Sequence, residues 1–125
     1  MSSQSLDPMQ MRAWCYVLEL ENDGFYVGVT KDLCRRLEEH WTQRAAQYTR
    51  THKPVRVHAL HRCEGSGADV LTLERRVTLD LMAESVARHG ADGWNRVRGG
   101  PWCSPAMQQP PRELSDHHSQ QPPLQ

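Results

Sequence analysis

Asn22-Asp23-Gly24 separates two apolar, partly β-branched runs, AWCYVLELE over residues 13–21 and FYVGV over 25–29. A triplet of this kind between strand-like runs closes a β-hairpin, because glycine reaches positive φ at no steric cost. Residues 13–29 are therefore expected to pair as two antiparallel strands, and the rest of the chain must then pack on a sheet. Tyr16 and Tyr26 fall one on each strand. Tyrosine is a common strand residue, so packing is the simplest account of both. Gly28 is less ordinary, since a strand glycine weakens the strand unless another backbone or a ligand must come close.

Thr30 or Asp32 can cap a helix that begins near Lys31, and Leu33, Leu37 and Trp41 set an apolar stripe running to about Ala46. Arg36 and His40 are four apart and stack one turn above the other on a neighbouring face. The loop QYTRTHKP follows, and the alternation of Val55, Val57 and Ala59 in VRVHALHRC marks a third strand. Beyond the turn EGSGAD, a helix from about Ala68 to His89 carries Val70, Leu73, Val77, Leu81 and Ser85 on its buried side and ends at Gly90. The segment ADGWNRVRGGPW reads as a turn-rich close. The order β-β-α-β-α describes an α+β fold, a small three-stranded antiparallel sheet flanked by helices.

A chain of 125 residues holds one domain. Residues 1–12 are polar and read as a flexible N-terminus. Residues 104–125, rich in Pro, Gln and Ser, bury too little apolar surface to offset their ordering entropy and read as a disordered tail. The folded domain is then 13–103. A signal peptide and a membrane-length apolar run are both missing, so an intracellular protein without membrane contact is expected. Cys15, Cys34, Cys63 and Cys103 lack CxxC-type spacing, and free, buried thiols are the plain account of them.

The formal net charge is zero, but its distribution is uneven. Between Lys31 and Arg62 eight basic side chains face three acidic ones, and Arg96 and Arg98 adjoin Gly99-Gly100. Such a patch suits a phosphate-bearing partner. Glu74 is the misfit of the long helix, because it falls within the apolar stripe. An ionised carboxylate buried there needs a cation or hydrogen-bond donors, and a salt bridge to Arg75, Arg76 or a helix-edge arginine is the purely structural answer.

Tyr16, Tyr26, Arg36, His40 and Glu74 together resemble the GIY-YIG nuclease family. Trp14-Cys15-Tyr16 stands for the first motif and Tyr26-Val27-Gly28 for the second. Arg36 falls ten residues past Tyr26, and His40 four residues later, where the family has its arginine and histidine. Glu74 matches the metal-binding glutamate of the following helix, Asn95 matches a late asparagine, and YTRTHKP resembles a loop of some branches. The chain departs at Trp14 and Cys15, which replace glycine and isoleucine. The resemblance covers residues 13–103.

That likeness implies an endonuclease that hydrolyses DNA, branched or flap structures included, with RNA as a second candidate substrate. It implies one divalent ion, Mg²⁺ or Mn²⁺, on Glu74, where a single carboxylate suits an ion that keeps most of its waters. Arg36 would grip phosphate oxygens with its planar fork. Tyr16 is assigned as the base or water-positioning group and Tyr26 as a phosphate contact, with the reverse assignment open. His40 would orient a tyrosine hydroxyl or accept a proton. Lys31, Arg35, Tyr48, Arg50, Asn95 and Arg98 are the expected substrate-binding side chains. A protein partner is one route to target choice. The rival readings are a non-catalytic nucleic-acid-binding module and a protein-interaction domain that keep the fold.

Overall fold

A computed structural model describes residues 10–120 and the side chains of 12–117. The strands are β1 (Gln10–Leu20), β2 (Gly24–Thr30), β3 (Pro54–Ser66) and β4 (Val97–Gly99). The helices are α1 (Leu33–Trp41), α2 (Gln47–Thr51), α3 (Gly67–His89) and α4 (Arg112–Gln120). β1 and β2 form the expected hairpin, in register from Trp14 opposite Thr30 to Leu20 opposite Gly24. Its turn differs in one respect: Asn22 (φ 63°) and Asp23 (φ 65°) take the left-handed conformation, while Gly24 is extended at φ −99°. Asn and Asp are the side chains that tolerate this region best after glycine.

The sheet has four strands, in the order β3-β1-β2-β4, and its directions are mixed. This corrects the three-stranded antiparallel expectation: β4 runs parallel to β2 and sets Phe25, Tyr26 and Val27 beside Val97, Arg98 and Gly99. Three residues are too few to show an alternating pattern, so β4 reads as a turn from sequence. β3 pairs along the whole of β1, from Gln10 opposite Ser66 to Leu20 opposite Pro54. Residues 10–12, expected to be flexible, are thereby held in the sheet.

Strand alternation divides the interior in two. On one face Cys15, Val17 and Val27 pack with Leu79, Met82 and Ala83 of α3 and with Trp94 and Val97. On the other, Tyr16, Leu18, Leu20 and Tyr26 pack with Tyr48 of α2 and with Leu33 and Leu37 of α1. Both tyrosines therefore point to the α1 side. Asp32 caps α1 by accepting from the Arg35 N–H at 3.2 Å. The helix stops at Trp41 rather than near Ala46, with Gln43 at φ 65°, so Trp41 drops out of the stripe and is 43% exposed. α3 starts on a capping box between Ser66 and Asp69 and ends at Gly90, as its pattern indicates.

The C-terminal segment departs from the expected disorder. Residues 112–120 form α4, Leu114 is buried in the α3-side core, and His117 Nε2 bonds Asp80. One leucine in a polar stretch is too weak a signal to reveal a docked helix. The expectations for residues 1–9 and 121–125 lie outside the described residues. None of the four cysteines is in a disulfide; Cys15 is buried, Cys63 half-buried, and Cys34 and Cys103 are exposed. No helix among the described residues is long and apolar enough to cross a membrane.

Candidate active site

His40 is the hinge of the site. The sequence places it on the surface of α1, but it is 0% exposed and lies between the two tyrosines. Its ring centroid is 5.4 Å from that of Tyr16 and 5.3 Å from that of Tyr26. Nε2 is 2.7 Å from the Tyr16 hydroxyl, and Nδ1 is 2.9 Å from Thr49 Oγ1. Burial, helped by the charge of Arg36, depresses its pKa to about 4, so the ring is neutral at physiological pH.

Gly28 explains how Tyr16 reaches His40. A Cβ at this position would lie 2.5 Å from Tyr16 Oη and 2.6 Å from Cζ, so the phenol ring itself crosses the strand there. The close neighbour anticipated from a strand glycine is a side chain of the same sheet. Gly28→Ala is expected to push the hydroxyl off His40, costing about 1–3 kcal/mol of stability by overpacking. A lowered thermal midpoint checks this, and an unchanged midpoint would contradict the placement of the Tyr16 ring.

Arg36 donates from Nη1 to Glu39 Oε1 at 2.9 Å, and its side chain is about one-third exposed (35%). It pulls both tyrosine hydroxyls toward ionisation, but burial outweighs it. The Tyr16 pKa is raised above the ordinary tyrosine value, and that of Tyr26 is raised strongly, with Tyr16 itself contributing. Lys31, Arg35 and Arg50 are exposed. Arg35 pairs loosely with Asp32 at 3.8 Å.

Glu74 projects from α3, half-buried. The salt bridge to Arg75 or Arg76 is absent: Glu74 is in none of the ion pairs among the described residues. The Arg75 guanidinium lies instead over the Trp102 ring, 5.8 Å from its centroid. Burial raises the Glu74 pKa, and the nearby backbone N–H of Gly100 opposes the rise. Gly100 takes φ 55°, a conformation that favours glycine, next to this carboxylate. The Glu74 charge also raises the pKa of Tyr16 and Tyr26, which places all three in one electrostatic neighbourhood. No group of three His, Cys, Asp or Glu among the described residues could hold a metal. A lone carboxylate without a cation fits a hard divalent ion that takes its remaining ligands from water and phosphate.

Arg98 and Tyr48 correct the expected set of substrate contacts. Arg98 is 1% exposed and spends its donors on carbonyl oxygens: Nε on Ser104 at 2.8 Å, Nη1 on Val97 at 3.0 Å and Asn95 at 3.2 Å, and Nη2 on Asn95 Oδ1 at 2.7 Å. Its guanidinium sits over the rings of Tyr48 and Trp94, 5.1 and 5.4 Å from their centroids. The buried Tyr48 donates to the Asn95 carbonyl at 3.3 Å and stacks on His52. Asn95 is exposed, but its side-chain oxygen is taken by Arg98. This interlock fastens β4 and the Gly99-Gly100 turn, and with it the N–H that meets Glu74. A basic residue beside Gly-Gly reads as a surface turn until β4 sets it next to Tyr26.

Thr49 is the residue that sequence reasoning passes over, whereas Gly100 enters it only as a neighbour of Arg96 and Arg98 and not of Glu74. Thr49 lies inside YTRTHKP, and nothing in its local pattern points to a histidine nine positions away. The sequence profile of the GIY-YIG catalytic domain family matches residues 12–78. A UPF0213 protein of Cupriavidus necator is 48% identical over 46 residues, 36% of this chain and 50% of that protein. UPF0213 proteins of Fusobacterium nucleatum (37% over 54 residues, 43% and 54%) and Streptococcus pneumoniae (41% over 49 residues, 39% and 50%) are also similar. The chain spans about half the length of these curated relatives. No solved structure matches. With the profile covering more than half of the chain, and the two motif tyrosines meeting at one buried histidine, the chain belongs to the GIY-YIG family.

Proposed function

We propose that the protein is an endonuclease that hydrolyses phosphodiester bonds in DNA with one divalent metal ion. The observation that supports this most is the conjunction of a neutral histidine bonded to the Tyr16 hydroxyl with a carboxylate, Glu74, that pairs with no cation among the described residues. A module that only binds nucleic acid has no use for that carboxylate.

The chemistry follows from the residues. Tyr16 Oη takes a proton from the attacking water while its own proton passes to His40 Nε2, so no free phenolate is required. Arg36 exchanges Glu39 for the non-bridging phosphate oxygens, where its fork matches the charge that develops. Tyr26 donates to the phosphate. A Mg²⁺ or Mn²⁺ held by Glu74 would supply Lewis acidity and stabilise the departing 3′ oxygen. Lys31, Arg35 and Arg50, all exposed, are assigned to the sugar–phosphate backbone.

The test is a cleavage assay on plasmid, linear duplex, flap and branched DNA, with RNA alongside, in Mg²⁺, Mn²⁺ or chelator. Metal-dependent cleavage of at least one DNA is expected. Binding without cleavage in either metal would favour the non-catalytic module, and neither binding nor cleavage would favour the protein-interaction domain.

A further inference from the structure

Thr49 is hydrogen-bonded to neither Tyr16 nor Tyr26 among the described residues and carries no charge, yet it is 0% exposed and bonded to the back of His40. Its single hydroxyl proton has two neighbours to choose between, His40 Nδ1 at 2.9 Å and the Ala46 carbonyl at 3.0 Å. A carbonyl oxygen can only accept. If Thr49 donates to Ala46, Nδ1 must carry the ring proton and donate to Oγ1. Nε2 of the neutral ring is then an acceptor, and at 2.7 Å it takes the Tyr16 proton. Each group in this line has one donor facing one acceptor.

The opposite tautomer satisfies the groups less well. The Thr49 proton would turn to Nδ1, leaving the Ala46 oxygen with the Arg50 N–H at 3.3 Å. Nε2–H would then point at the Tyr16 oxygen, and the Tyr16 proton would lose the one acceptor that the described hydrogen bonds give it. We propose that Thr49 is a positioning residue: it fixes His40 in the Nδ1–H tautomer and thereby makes Nε2 the acceptor for the Tyr16 proton. In the step itself the water proton goes to Tyr16 Oη, the Tyr16 proton goes to Nε2, and the resulting imidazolium keeps its Nδ1–H on Thr49. Arg36 and Glu39 on α1 and Tyr26 on β2 are the other ionisable groups around this ring, and none of them is bonded to Nδ1. The kinetic consequence rests on the nuclease reading; the tautomer does not.

The experiment therefore has two arms on the full chain. Nitrogen-15 NMR of the His40 ring, above the pH at which it protonates, reads the tautomer directly, whether or not the protein cleaves anything. Wild type and Thr49→Ser are expected to show a protonated Nδ1 and a bare Nε2, while Thr49→Val shows Nε2–H or a mixture. In the cleavage assay Thr49→Val should lower kcat about ten- to hundredfold at unchanged KM, with Thr49→Ser restoring most of it, as expected when an orienting partner is lost. An Nε2–H tautomer in wild type, which needs no variant to fold, overturns the proposal. So does a Thr49→Val protein with the wild-type tautomer. No cleavage by any variant, with the expected tautomers, would count against the nuclease reading and leave the role of Thr49 upheld.

Discussion

Glu74→Gln is expected to reduce metal-dependent cleavage by at least about a thousandfold, corresponding to about 4 kcal/mol of lost transition-state stabilisation. The variant keeps the shape of the side chain and an oxygen for the Gly100 N–H, so positioning survives while the charge that would hold a divalent ion is lost. The fold should not suffer. Burial raises the Glu74 pKa from the ordinary carboxyl value of 4.5, so ionising it disfavours the folded state. That penalty is absent below the unfolded value and grows as pH rises through the folded one. At neutral pH the variant should therefore melt at the wild-type temperature or above it, with the difference vanishing in acid. Cleavage assays at saturating Mg²⁺ and thermal melts at pH 4 and pH 7.5 check both halves. Undiminished cleavage would remove Glu74 from the metal site, and a large fall in melting temperature would make it structural.

The hairpin and the two long elements behind it are legible because each has a local cause: a turn triplet, an alternating run, a four-residue stripe ended by Gly90. Tyr16, Tyr26, Arg36, His40 and Glu74 are legible as a set only through their resemblance to the GIY-YIG family, whose order and spacing they match. What escapes is long-range. β4 exists because β2 offers it an edge, and α4 docks through Leu114 and the His117–Asp80 bond, which a polar stretch does not announce. Arg98 looks like a surface cation until that parallel pairing buries it beneath Tyr48. His40 looks like a surface residue because its partners, Tyr16 and Thr49, come from a strand on one side and a short helix on the other. Gly28 shows the intermediate case. Its oddity is visible in the sequence, but the cause, a tyrosine ring lying across it, is visible only in the packed sheet.

Tyr16→Phe is expected to lower kcat by about a hundred- to ten-thousandfold, the range of a lost general base, with little change in KM. Tyr26→Phe should cost less, because its hydroxyl is assigned to binding and its proton has no histidine acceptor. The Tyr16 pKa is raised, so standing phenolate is scarce at neutral pH and the proton must leave during the step. Only a neutral His40 can receive it. Its pKa of about 4 in the fold, against 6.5 for a free side chain, keeps it neutral through the physiological range. The sign matters for where the comparison is made. A histidine depressed on folding contributes no penalty above its unfolded value, and stability is lost as pH falls from about 6.5 toward 4, by about 3 kcal/mol in all. Activity and stability therefore fall together in acid, and the Tyr16 and Tyr26 variants belong at pH 7.5, where neither is affected by this titration. Tyr16→Phe also leaves the buried Nε2 without its donor, at a cost of about 1–3 kcal/mol. Denaturant midpoints must show both variants folded before rates are compared. If Tyr16→Phe then turns over normally and Tyr26→Phe does not, the base is Tyr26, and the Tyr16–His40 bond serves the architecture of the sheet.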